Sequence, residues 1–165
     1  MKKVAVIMGS ASDMPVAREA LNTLAEFGVP TSARVLSAHR TPDETAAFAR
    51  SASQEGYGVL IALAGKAAHL AGVLAAHTRL PVIGVPVSTS GLGGLDALLS
   101  TAQMPKGVPV ASVAIDGAAN AALLAIRILA LEDGALAEQL DQFAQTLAEK
   151  TARADAAMQK EMEHL

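Results

Sequence analysis

The sequence predicts an α/β fold, a parallel sheet covered by helices on both faces, and three observations lead there. Five short apolar runs are bounded by Gly, Pro or Ser turns, as strands buried on both faces are. Segments with apolar residues at helical spacing fall between those runs. Such alternation needs crossover connections, which in a parallel sheet are right-handed.

Val4 to Met8 is the first strand, stopped by Gly9. Pro15 to Phe27 reads as a helix from the spacing of Val16, Ala20, Leu21, Leu24 and Phe27. Ser12 and Asp13 are its candidate caps and Gly28 its stop. Ser32 to Leu36 is the second strand. Thr41, with Pro42 after it and Glu44 three residues on, has the pattern of a capping box, so a helix is expected to near Gly56. Val59 to Leu63 is the third strand, ending at Gly65, and Ala67 to His77 a short Ala-rich helix. Pro81 to Val87 is the fourth strand, and a Gly-rich turn leads into a helix over Leu92 to Ala102. Val110 to Ile115 is the fifth strand. Ala118 to Leu131 is a strongly apolar helix, and Gly134 to about Met162 a long amphipathic one. The expected organisation is one domain over 1–165, with a core over 1–131 and a C-terminal helix over 134–162. The helix from Ala118 is apolar nearly all round. The sheet would hide one stripe of it, and the remainder is expected at a subunit interface, with burial inside one chain as the alternative.

Composition narrows the function. The 165 residues allow one sizeable core, and 52% hydrophobic against 18% charged residues implies extensive burial. With three Phe, one Tyr and no Trp, the chain is poorly supplied for stacking on bases. Net charge is −3 and no basic stripe runs along the chain, so nucleic acid is not an expected partner. The absence of cysteine excludes disulfides and thiolate catalysis. No His, Asp and Glu cluster has metal-ligand spacing, and neither a metal nor another cofactor is expected. Two lysines precede the run Val4 to Met8, but that run falls short of the roughly 7–15 apolar residues of a signal peptide. No stretch approaches the ~20 apolar residues of a membrane helix. A cytoplasmic location without a membrane partner is expected.

In open parallel sheets, ligands bind outside the carboxyl ends of the strands, and that rule selects four loops. Gly9-Ser-Ala-Ser-Asp13 suits a phosphate or ribose at a helix N-terminus, with Ser10 and Ser12 donating and Asp13 accepting. Plain helix capping would satisfy the same composition. In Ser37-Ala-His-Arg-Thr-Pro42, Arg40 fits a phosphate bidentately and His39 suits proton transfer near neutral pH. The alternative is a His that only bonds nearby backbone. In Ala64-Gly-Lys-Ala-Ala-His-Leu70, Gly65 permits close backbone approach and His69 falls in the first helical turn. Lys66 there is a cation at a helix N-terminus, unfavourable unless an anion sits near. Lys66 in solvent and His69 in mere packing are the alternatives. Ser88 to Gly94 is either a flexible turn or a loop that closes over a ligand, and Gln103 to Gly107 is a further polar loop. His77, far from the ligand edge, is expected to be structural, and His164 in the tail to be solvated.

Six segments then stand in order from residue 3 to about 131: MGSASD (Met8 to Asp13), SAHRTP (Ser37 to Pro42), AAHLAG (Ala67 to Gly72), LPVIGVPV (Leu80 to Val87), GLDALLSTAQMPKGVPVA (Gly94 to Ala111) and AANAALLA (Ala118 to Ala125). In them the chain resembles the N5-carboxyaminoimidazole ribonucleotide mutase family of purine synthesis. The resemblance implies a flavodoxin-like three-layer α/β/α sandwich, a homo-octamer and a small-molecule ribonucleotide substrate. It implies transfer of a carboxylate from the exocyclic nitrogen to ring carbon C4 by decarboxylation and recarboxylation. A closed pocket would keep the two fragments at high effective concentration. By match to the SAHR motif, His39 is implied as the proton shuttle, and Ser10, Asp13 and Arg40 as ligands of the ribose phosphate. The loop from Gly65 to Leu70, with Lys66, Ala67 and His69, is implied around the carboxylate and base. Ser12 and Ser37 complete the substrate-binding candidates. The chain departs from the mutases at Lys66, where they carry Gly, at Ala71 for Pro and at Met14 for Trp. Related carboxylases that use free carbon dioxide carry a basic residue near Lys66, within AGRSN, but SAHK in place of SAHR. Such a carboxylase and a noncatalytic nucleotide-binding module of the same fold are the alternatives.

Overall fold

In the computed structural model, which describes residues 1–162, the strands are β1 (Lys3–Met8), β2 (Thr31–Val35), β3 (Tyr57–Gly65), β4 (Val82–Val87) and β5 (Ala111–Ser112). They form one parallel sheet in the order β2-β1-β3-β4-β5. The helices are α1 (Met14–Glu26), α2 (Pro42–Ser51), α3 (Leu70–His77), α4 (Leu95–Ala102), α5 (Ala118–Ala130) and α6 (Gly134–Met162).

The central strands are apolar without interruption because helices cover both sides. Val4, Val6, Met8, Val59, Ile61, Leu63, Ile83 and Val85 face α1 and α5, where Ala17, Ala20, Leu24, Ala121, Ala125 and Ile126 meet them. The alternate residues Ala5, Ile7, Leu60, Ala62 and Val82 face α2 and α3, with Phe48, Ala49, Leu70, Ala71 and Leu74. Small Ala side chains on the helices let them approach the sheet closely. Each fully buried Leu or Ile contributes about 1.5–3 kcal/mol.

Several expected boundaries shift for identifiable reasons. The fifth strand was expected over Val110 to Ile115 but keeps only Ala111–Ser112, paired with Ile83 and Gly84. Pro86 explains this. Its carbonyl accepts from the Asp116 N–H at 2.9 Å, so the edge that lacks a donor faces the incoming chain. The chain then turns, with the Gly117 N–H donating to the Ala114 carbonyl at 2.9 Å. The helix expected from Ala67 begins at Leu70, because the preceding residues fold into two tight turns, Ala68 N–H to the Lys66 carbonyl at 2.8 Å and His69 N–H to the Ala67 carbonyl at 2.9 Å. The helix expected from Leu92 begins at Leu95, after Gly93 and Gly94 at positive φ. The capping box expected at Thr41 does not form: its hydroxyl turns back to Ser37, although Pro42 does open the helix. That helix ends at Ser51, and turns continue to Gly56.

α5 is held between the sheet, α1 and α6, so much of the surface assigned to a subunit interface is covered within the chain. α6 starts on this core through Leu136, Leu140 and Phe143, whose ring meets Phe27 edge-on at 5.7 Å. From residue 144 onward its side chains are exposed. His164 lies outside the described residues. Among the described residues, no helix is long and apolar enough to cross a membrane.

Candidate active site

Strand order reverses between β1 and β3, since the chain goes from β1 to β2 on one side and returns to β3 on the other. The crevice beyond the carboxyl ends at such a point is where an open α/β sheet binds ligands. A cleft of about 440 Å³ lies there. Ser10, Ser12, Asp13, Ser37, His39, Arg40, Gly65, Lys66, Ala67 and Leu70 all line it. His69 does not line it but touches it through His39. A larger cavity of about 610 Å³ opens at the amino end of the sheet, between Leu80, Pro81, Leu129 and Leu131. It gathers no comparable set of proton-transfer and anion-binding groups.

The loop after β1 is a 3-10 turn over Ala11–Asp13 capped by Ser10; of the caps expected for α1, Asp13 holds the N-cap position without a side-chain bond to that helix. The Ser10 hydroxyl accepts from the Ser12 N–H at 3.3 Å, and the Asp13 carboxylate accepts from the Ser10 N–H at 3.0 Å. Ser12 Oγ also donates to Ser10 Oγ at 2.9 Å. This reciprocal cap fixes the loop before any ligand arrives. Asp13 is buried, and burial pushes its carboxyl above the ordinary value. Hydrogen bonds from Ser10 and Ser12 and the charge of Arg40 oppose that rise.

The loop after β2 is closed on itself. The Ser37 N–H donates to Thr41 Oγ1 at 3.0 Å, and the Arg40 N–H reaches Ser37 Oγ at 3.2 Å. The Arg40 guanidinium then crosses to the first loop, where Nη2 donates to the Gly9 carbonyl at 3.0 Å. Arg40 thus ties two loops together while remaining exposed to the cleft. His39, also exposed, places Nε2 2.9 Å from Nδ1 of His69, the rings edge-on with centroids 5.0 Å apart. One nitrogen of that pair donates the shared proton and the other accepts it.

In the loop after β3, Gly65 leaves little room for a Cβ, which would sit 3.0 Å from Thr89 Cγ2 and 3.2 Å from the Val87 carbonyl. The third and fourth loops therefore abut. Lys66, expected at the helix N-terminus, stands before the turns that precede Leu70, with a left-handed φ of 56°, and His69, expected in the first helical turn, takes the N-cap position instead.

Gly9, Ala38, Ala64 and Thr89 line the cleft as well, and sequence reasoning had not assigned them. Thr89 belongs to the loop expected either to flex or to close. That loop is latched at its start, where the Ser88 N–H donates to the Asp116 carboxylate at 2.9 Å. The Asp116-Gly117 pair was the available signal, since Asp tolerates the left-handed φ of 58° found there.

Comparison with known proteins agrees with this fold. The family model described as AIR carboxylase matches residues 3–150. The N5-carboxyaminoimidazole ribonucleotide mutase of Saccharolobus solfataricus is 54% identical over 147 residues, 89% of this chain and 93% of its own. The protein of the same name from Mycobacterium tuberculosis is 52% identical, covering 96% of this chain and 91% of its own. The crystal structure of Treponema denticola PurE superposes with a TM-score of 0.83 at 29% identity, over 93% of this chain and 96% of that one.

Proposed function

The chain belongs to the AIR carboxylase family, and from that premise we propose that it is an N5-carboxyaminoimidazole ribonucleotide mutase of purine synthesis. The observation that carries the proposal is the convergence of His39, Arg40, Ser10 and Asp13 with the Gly65 to Leu70 loop around one cleft. Relatives bearing the mutase name at 52–54% identity support it.

In this reading the phosphate lies against the capped loop after β1. Arg40, Ser10, Ser12 and Ser37 supply donors there, and Asp13 accepts from a sugar hydroxyl. The reaction breaks the bond between the exocyclic nitrogen and the carboxyl carbon, which leaves carbon dioxide and the electron-rich aminoimidazole. Ring carbon C4 then attacks that carbon dioxide, and the C–H proton at C4 passes to His39. His39 returns a proton to the exocyclic nitrogen, so protons balance over the cycle. Gly65, Ala67 and Leu70 confine the carbon dioxide, which keeps recombination effectively unimolecular. His69 holds the His39 ring and shares its proton.

The proposal extends to one domain over 1–165 acting in the cytoplasm as a homo-octamer. Exposed Leu92, Leu95 and Leu99 on and before α4 support association, because apolar surface of that kind is normally covered. His39→Asn tests the chemistry: it keeps polarity and size but cannot shuttle a proton. Substrate affinity stays within about threefold, while kcat falls by roughly 10²–10⁴. A variant that turns over at the wild-type rate removes His39 from the mechanism.

A further inference from the structure

Among the described residues, Lys66 is the one cation of the cleft that the fold itself does not use. Among the described residues, no carboxylate lies within 4.0 Å of it; the ion pairs are Lys2 with Glu132 and Arg153 with Glu149. No hydrogen bond among the described residues involves its side chain, whereas Arg40 is engaged with the Gly9 carbonyl and Ser37. Its backbone is left-handed, at φ 56°, a conformation that costs a side-chain-bearing residue roughly 1–2 kcal/mol and glycine almost nothing. A strained lysine facing a cleft, without a partner in the protein, points to a ligand.

We infer that Lys66 is a specificity-determining residue that pairs with the migrating carboxylate of the substrate. The inference rests on the mutase reading above. A ribonucleotide carrying a carboxylate is anionic at both ends. The carbon that accepts the carboxyl group is the one that loses a proton to His39, so carboxylate and His39 are neighbours in any productive pose. His39 in turn touches His69, three residues beyond Lys66 on the same loop. Arg40 hydrogen-bonds the loop after β1, where the phosphate binds. The two cations thus stand on loops from different strands, one for each anionic end.

The experiment compares two ligands across three proteins: the wild type, Lys66→Met and Lys66→Gly. The second variant suits the left-handed backbone, so misfolding cannot mimic the result, and its Tm equals or exceeds the wild-type value. The ligands are the carboxylated ribonucleotide, followed by KM and kcat, and the uncarboxylated aminoimidazole ribonucleotide, followed by Kd. Loss of one charge-assisted contact in an open cleft raises KM for the carboxylated ligand about tenfold in both variants. The Kd of the uncarboxylated ligand stays within about twofold. The wild-type KM rises with ionic strength and the variants' KM responds less. Equal weakening of both ligands would assign Lys66 to the phosphate, and no weakening would leave it to solvent; either overturns the inference. A wild type that binds neither ligand would overturn the mutase reading, and this inference with it.

Discussion

Gly84 gives a prediction whose size follows from the packing. It lies in the middle of β4, and a Cβ there would sit 2.2 Å from Thr101 Cγ2 and 3.2 Å from both Ala71 Cβ and Val110 Cγ1. Carbon atoms in contact prefer about 3.5–4.0 Å, so the first overlap is roughly 1.5 Å. Thr101 cannot rotate away freely, because it is buried and its hydroxyl donates to the Ala97 carbonyl at 2.7 Å. α4 must therefore lift from the sheet, and the loop that leads into it carries Thr89 of the cleft. Gly84→Ala should destabilise the fold by about 2–3 kcal/mol, near the upper end of ordinary overpacking. Tm should fall by roughly 5–10 °C in a chain of this size. Thr101→Ser removes the offending methyl and keeps the hydroxyl. Combined with Gly84→Ala it should recover about half the loss, since the two contacts at 3.2 Å remain. Thermal denaturation of the four proteins reads the cycle. A Gly84→Ala variant within about 0.5 kcal/mol of wild type, or additive effects of the two changes, would refute the packing argument.

Asp13 and Arg40 yield two more. Burial raises the Asp13 carboxyl above its ordinary value. Its stabilising contribution is therefore full below that ordinary value and lost as pH rises through the folded one. Asp13→Asn removes this dependence and can still accept from the Ser10 N–H. Its stability relative to wild type should improve as pH rises from about 4 through the folded value and level off above it in denaturant titrations, while its affinity for the ribonucleotide drops at least about tenfold. Arg40→Lys keeps the charge but not the geometry that reaches both Gly9 and Ser37. KM should rise about tenfold with kcat within about threefold, measured by steady-state kinetics.

The layered fold was legible because each central strand is buried on both faces and reads as an unbroken apolar run. The cleft was legible because its residues come from loops at the carboxyl ends of strands, and all but His69 of the named candidates line it. What failed was local. Thr41 has the residue pattern of a cap, but its hydroxyl is engaged with the Ser37 N–H and carbonyl and makes no cap bond to α2. β5 looked six residues long because apolar content does not reveal that Pro86, on the neighbouring strand, withholds a donor. The His39 to His69 contact joins residues thirty positions apart, and no periodicity within either loop predicts it. The helix expected to follow Lys66 directly is postponed to Leu70 by the turns at Lys66 and Ala67.

The most direct test of the whole account is a paired turnover assay on the purified protein. One arm supplies the N-carboxylated ribonucleotide without added bicarbonate, and the other the uncarboxylated ribonucleotide with bicarbonate. A mutase gives fast product only in the first arm. Product mainly in the second arm, rising with dissolved carbon dioxide, would contradict the assignment and make the chain a carboxylase; no product in either would leave a cleft that binds without catalysis.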